Sequence, residues 1–97
     1  MNSVQKEIML IAQEECAEVV QAISKIFRFG PDDVYNNFTN KQRLEEEIGD
    51  LLCMLQLMNE NKIIDWTKVS AASSMKREKL KQWSNVFKEN DEFKTIN

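Results

Sequence analysis

The chain has 97 residues, 42% of them hydrophobic and 30% charged, with two glycines, one proline and a formal net charge of −3. That length fits one domain over residues 1–97, and the composition is that of a helical globular protein rather than a disordered or β-rich one. The negative balance argues against general affinity for nucleic acid or an anionic membrane. The absence of histidine excludes Ser-His and Cys-His nucleophiles, H-E-x-x-H zinc sites and the E-x-x-H di-iron motif.

No run approaches the roughly 18 apolar residues of a membrane span, and the opening MNSVQKE lacks the features of a signal peptide. The expected location is the cytoplasm. Cys16 and Cys53 lie in helical stretches without C-x-x-C spacing and read as small, buried, reduced side chains.

The first helix is expected over residues 3–29, with Ser3 as N-cap and Gly30, followed by Pro31, as its stop. Its run IMLIAQEECAEVVQAISKIF sets Glu15 inside an apolar stripe of Ile8, Ile11, Val19, Ala22 and Ile26. Glu18 falls at the edge of that stripe, beside Lys25. The segment GPDDVYNNFT packs Gly, Pro, two Asp and two Asn into one short stretch and reads as a connecting loop with room for a short helical turn.

The second helix begins near Thr39 or Asn40, where Thr39 and Gln42 fit a T-x-x-Q capping box. Within RLEEEIGDLLCMLQLM, Glu47 falls between Leu51, Met54 and Met58, and Asp50 lies one turn on, beside Met54 and Leu57. The end of this helix is apolar on nearly every side, the pattern of a helix buried on more than one face, which predicts a partner subunit. After NENKIID, Asp65 is the expected cap of a third helix over residues 66–88. That helix has a stripe of Val69, Ala72, Met75, Leu80, Trp83 and Phe87 and a basic side of Lys76, Arg77, Lys79 and Lys81. The tail NDEFKTIN is polar and expected to fray. The fold class is therefore all-α, a bundle of about three helices per protomer completed by oligomerisation.

Each of the first two helices carries a Glu and, three residues later, a second acid on the face that must pack. Four carboxylates brought together repel and destabilise the fold unless a cation sits among them. With oxygen ligands alone the suitable ion is hard, Mg²⁺ first and Mn²⁺ as substitute, and Mg²⁺ commonly shares its sphere with substrate phosphates. Hydrolysis of a phosphoric anhydride is the chemistry that fits. Glu14 and Glu46, on the borders of the stripes, are candidates to orient or deprotonate the attacking water. Lys25 is placed to meet a phosphate oxygen, and Arg28 or the basic side of the third helix adds to it.

Glu15-x-x-Glu18 and Glu47-x-x-Asp50, with 28 residues between the pairs, resemble the E-x-x-E then E-x-x-D signature of MazG-like nucleotide pyrophosphohydrolases, within the all-α NTP pyrophosphatase superfamily. The flanking text EECAEVVQAISKIFRFG and RLEEEIGDLLCML is similar to the first two helices of small MazG-like proteins, and KREKLKQWS matches loosely. The resemblance implies Mg²⁺-dependent cleavage of a nucleoside triphosphate, ribo or deoxy, to the monophosphate and pyrophosphate. It implies Glu15, Glu18, Glu47 and Asp50 as metal ligands, and assembly as a homodimer or homotetramer. It does not reach the base-recognition residues, for which Asn36, Asn37, Met54, Trp66 and Trp83 are candidates, with Arg77 and Lys81 as further substrate contacts.

Plainer readings stand beside these. Lys25 pairs with Glu18; Arg77 and Lys81 are solvated charges near a helix C-terminus; Asn36 and Asn37 form a turn; Met54, Trp66 and Trp83 pack in a core or interface. A phosphoribosyl-ATP pyrophosphohydrolase, a dUTP or dCTP pyrophosphatase, and a non-catalytic helical interaction module remain as alternatives.

Overall fold

The computed structural model describes residues 1–88, so the tail NDEFKTIN lies outside the described residues. Three helices dominate: α1 (Ser3–Phe29), α2 (Asn40–Glu60) and α3 (Trp66–Trp83). The chain divides into two compact units, Met1–Ile63 and Ile64–Asn97.

In the first unit α1 spans the residues expected, but its cap is a different one. Asn2, not Ser3, is the N-cap: its side chain accepts from the Gln5 N–H at 2.8 Å, and the Gln5 side chain accepts from the Asn2 N–H at 3.0 Å. The reciprocal bond decides the position. Three residues beyond Asn2 stands Gln5, which has an acceptor; three beyond Ser3 stands Lys6, which has none. The helix ends at Gly30, whose φ of 90° disfavours any side chain and whose N–H reaches the Ile26 carbonyl at 2.8 Å.

The connection holds a small hairpin where a loop with a helical turn was expected. Strand β1 (Val34–Tyr35) pairs antiparallel with β2 (Phe38–Thr39), Val34 opposite Thr39 and Tyr35 opposite Phe38. Asn36 and Asn37 turn it with φ of 51° and 70°. Two successive left-handed residues make the type I′ turn that matches strand twist, and Asn tolerates that conformation better than most residues.

Thr39 then caps α2 in the expected box with Gln42, the paired bonds being 2.8 and 3.0 Å. Asn40, only 4% exposed, ties the two helices at this end. Its side-chain amide donates to the Gly30 carbonyl at 2.9 Å and its backbone N–H to the Asp33 carbonyl at 3.1 Å. At the opposite end the Gln5 amide donates to the Asn61 carbonyl at 2.8 Å. The two helices are thus antiparallel and pinned at both ends.

Between the pins the apolar core is small. Ile8, Ala12 and Met54 are buried together, with Leu57, Met58 and Ile63 packed against them, and Ala22 is buried further along α1. Met54 is therefore a packing residue of this core. Cys16 and Cys53 are free thiols but exposed, not buried as the sequence suggested, because they lie on helix faces that a single copy of this chain does not cover.

In the second unit Asp65 caps α3 as expected, accepting from the Thr67 N–H at 3.0 Å and the Thr67 hydroxyl at 2.7 Å. Those bonds hold its carboxyl below the ordinary value. The helix stops at Trp83, short of residue 88. Ser84 adopts an extended conformation and turns its hydroxyl onto the Leu80 carbonyl at 2.7 Å, satisfying a terminal acceptor that a further turn would have used. None of the residues of α3 is buried, and Trp83 is 78% exposed.

Candidate metal centre

Ile8, Ala12, Glu15 and Ala22 recur at helical spacing on one face of α1, and Glu47, Asp50 and Met54 do so on α2. Packing the apolar members of these faces forces the acids between them toward one another. One carboxylate oxygen each from Glu15, Glu47 and Asp50 lies within 4.8 Å of the other two. Glu15 and Glu47 are half-buried and Asp50 is exposed, so the cluster opens to solvent on one side.

Its electrostatics are those of unneutralised like charges. Burial pushes the Glu15 carboxyl above the ordinary 4.5, and Asp50, Glu18 and Glu14 push it further. Glu47 is raised in the same way, by burial first and then by Glu18, Asp50, Glu15 and Glu46. Glu18 and Asp50 therefore each act on both half-buried acids. Glu18 is exposed and stands outside the closest trio, but its charge reaches both half-buried members.

The donor set fits a hard divalent cation. Only carboxylate oxygen is offered, and oxygens around a Mg²⁺ ion held at about 2.1 Å stand roughly 3–4 Å apart, within small side-chain adjustments of the trio. A cation would also remove the repulsion that raises the Glu15 and Glu47 carboxyls.

Beside the trio lies a polar cavity of about 170 Å³, lined by Glu18, Lys25, Asn40, Arg43, Glu46 and Glu47 among others. Lys25 is exposed and, among the described residues, makes no ion pair or hydrogen bond, so it is not paired with Glu18. Glu46 lines this cavity, whereas Glu14 is exposed and near enough to Glu15 to raise its carboxyl without lining the cavity. Arg28 stands over the Phe29 ring at 4.8 Å, outside the cavity. Asn36 and Asn37 form the turn of the hairpin. In the second unit Arg77 lies over the Phe87 ring at 5.4 Å and Lys81 pairs with Glu78 at 2.9 Å. Trp66 and Trp83 are exposed on α3.

Arg43 was assigned no role from sequence. Its guanidinium donates to the Tyr35 carbonyl at 2.6 Å and lies 5.6 and 5.7 Å from the Tyr35 and Phe38 ring centroids, while its Nε is buried without a partner. The spacing carried a usable signal: Arg43 is one turn before Glu47 on the same face, and antiparallel packing puts it across from Lys25.

The fold is mostly helical, and its two longest helices bring three acids together beside a polar cavity lined by Lys25 and Arg43 among others. Residues 4–87 match the model of the MazG nucleotide pyrophosphohydrolase domain, and the chain belongs to that family. No curated protein and no solved structure matches it. No helix among the described residues is long and apolar enough to cross a membrane.

Proposed function

We propose that this chain is a Mg²⁺-dependent nucleoside triphosphate pyrophosphohydrolase that converts ribo- and deoxynucleoside triphosphates to the monophosphate and pyrophosphate. The observation that carries the reading is the convergence of Glu15, Glu47 and Asp50 oxygens within 4.8 Å beside a cavity lined by Lys25 and Arg43, in a chain of a pyrophosphohydrolase family. Mn²⁺ is the natural substitute.

Glu15, Glu47 and Asp50 would hold the cation, with Glu18 completing the set. When bound, the cation supplies charge neutralisation of the phosphates and a lowered pKa for an attacking water. Lys25, which has no partner among the described residues, would pair with phosphate oxygens in the cavity it lines. Glu46 lies in the same cavity and is the better placed of the two spare acids to orient the water and accept its proton. The water oxygen bonds to phosphorus as the bridging P–O bond breaks, and the electron pair leaves on pyrophosphate.

The active form is a homodimer or homotetramer in the cytoplasm. The support is physical: the core of one copy is small, and an apolar groove of about 610 Å³ lined by Met9, Leu10, Leu55 and Met58 lies open between α1 and α2. Apolar surface of this kind marks an interaction face. Incubating the protein with Mg²⁺ and a panel of nucleoside triphosphates tests the reading. Monophosphate with pyrophosphate is expected; diphosphate with orthophosphate, or no turnover of any member, overturns it.

A further inference from the structure

The acid-lined cavity does not stand alone. A second cavity, of about 420 Å³, shares Lys25, Asn40 and Arg43 with it and adds Phe29, Asp33 and Tyr35. The shared wall makes the two cavities adjoining compartments, with Lys25 and Arg43 between them. The compartments differ in chemistry. The first is polar and charged, and suits phosphates; the second carries two aromatic rings and lies in the size range of small-molecule sites, about 300–1,000 Å³.

Those rings have no packing role in the core. Tyr35 is 65% exposed and Phe29 55% exposed, yet both are held in place. Phe29 is the last residue of α1. Tyr35 sits on β1, and the Arg43 guanidinium grips that strand through the Tyr35 carbonyl and lies against the rings of Tyr35 and Phe38. The hairpin is further fixed by the Asn36–Asn37 turn and by the Asn40 bond to the Asp33 carbonyl. A segment of two-residue strands is marginal alone, so these ties are what hold an exposed tyrosine beside the second compartment.

We propose that the second compartment is the nucleoside subsite, in which Phe29 and Tyr35 are the faces on which the base stacks while the triphosphate passes Lys25 toward the acids. What enters the compartments rests on the pyrophosphohydrolase reading above. Stacking uses the π-face that every base has, so the subsite accepts nucleotides broadly and distinguishes a nucleoside triphosphate from a bare polyphosphate. The hairpin between α1 and α2, rather than its two turn asparagines, is then the element that recognises the nucleoside.

The test is calorimetric binding of non-hydrolysable α,β-methylene nucleoside triphosphates and of inorganic tripolyphosphate, each with Mg²⁺. Wild-type protein is compared with Tyr35→Ala, Phe29→Ala and Tyr35→Phe. Each alanine variant is expected to weaken nucleotide binding roughly 5- to 150-fold, the range for losing one aromatic–base stack, while Tyr35→Phe stays within about 3-fold. Tripolyphosphate binding should be the same in all four proteins. Unchanged nucleotide affinity in both alanine variants overturns the proposal, as does an equal loss for tripolyphosphate, which would mean that the compartments themselves had been damaged. Failure of the wild-type protein to bind any nucleotide also overturns it. Because the readout is binding, the two readings separate. The expected pattern without pyrophosphate release keeps the subsite and removes the hydrolase, and pyrophosphate release with unaffected alanine variants does the reverse.

Discussion

Two stretches of the same antiparallel helix pair behave in opposite ways. Near the start of α1 and the end of α2, Ile8, Ala12 and Met54 close on one another with Leu57, Met58 and Ile63 around them, and burial there stabilises the fold. A turn or two along, the same two faces bring Glu15, Glu47 and Asp50 together, and burial there opposes ionisation. Apolar packing in one stretch holds in place a cluster that would otherwise spread apart. The difference shows that the acids are positioned at a cost to the fold, as expected of groups kept for chemistry rather than stability.

The largest expected effect breaks the second stretch. Glu47→Gln or Asp50→Asn should lower pyrophosphate release by at least about 100-fold, the upper end of what losing an outer partner of a metal costs. Circular dichroism should show the helices intact. In metal-free buffer Glu47→Gln should also raise the melting temperature, because it removes one of the mutually repelling charges; a lower melting temperature would show that the carboxylate has a stabilising partner. Met54→Ala breaks the first stretch. It should cost about 2–3 kcal/mol in urea unfolding, the lower part of the range for truncating a buried methionine, and activity should be lost only as the unfolded fraction grows.

How far the sequence revealed this arrangement depends on the kind of signal. The spans of α1 and α2 followed from 3.6-residue periodicity and from caps whose partners lie three residues away, as with Thr39 and Gln42, whereas α3 ends at Trp83 rather than at residue 88. The Asn2 cap was missed because a serine next door satisfies the same residue preference, and only the acceptor on Gln5 separates them. The acid pairs were visible as charges out of place in apolar stripes, and the structure brings three of those four acids within 4.8 Å. The hairpin was not legible, since two-residue strands have no period to read and Asn36–Asn37 between Tyr35 and Phe38 looks like any polar loop. Arg43 was legible only in part. Its place one turn before Glu47 put it on the acid face, but its partners, a backbone carbonyl and rings on another element, have no spacing within α2 to announce them.

A smaller effect comes from pH. Glu15 and Glu47 sit above the ordinary 4.5, so there is a window in which the folded chain holds protons that the unfolded chain has lost. Their contribution to stability is greatest at and below 4.5 and falls as pH rises through their folded values. A divalent cation must displace those protons, so the rise in melting temperature on adding Mg²⁺ should be larger at about pH 7 than at about pH 5. An equal rise at both would place the ion away from these carboxylates.

The smallest expected effect probes the boundary between the two stretches. Gly49 lies inside α2 next to Asp50, and a Cβ built there meets nothing within 4 Å. A glycine within a helix costs about 0.5–1 kcal/mol relative to alanine. If the face is open, Gly49→Ala should raise stability by that amount, read as a higher urea midpoint at unchanged m-value. If the variant is instead less stable, and sedimentation shows weaker self-association, another copy of the chain must approach the α2 backbone at Gly49. The acids beside it would then lie at a subunit boundary, and the cluster would depend on assembly as well as on the core of one copy.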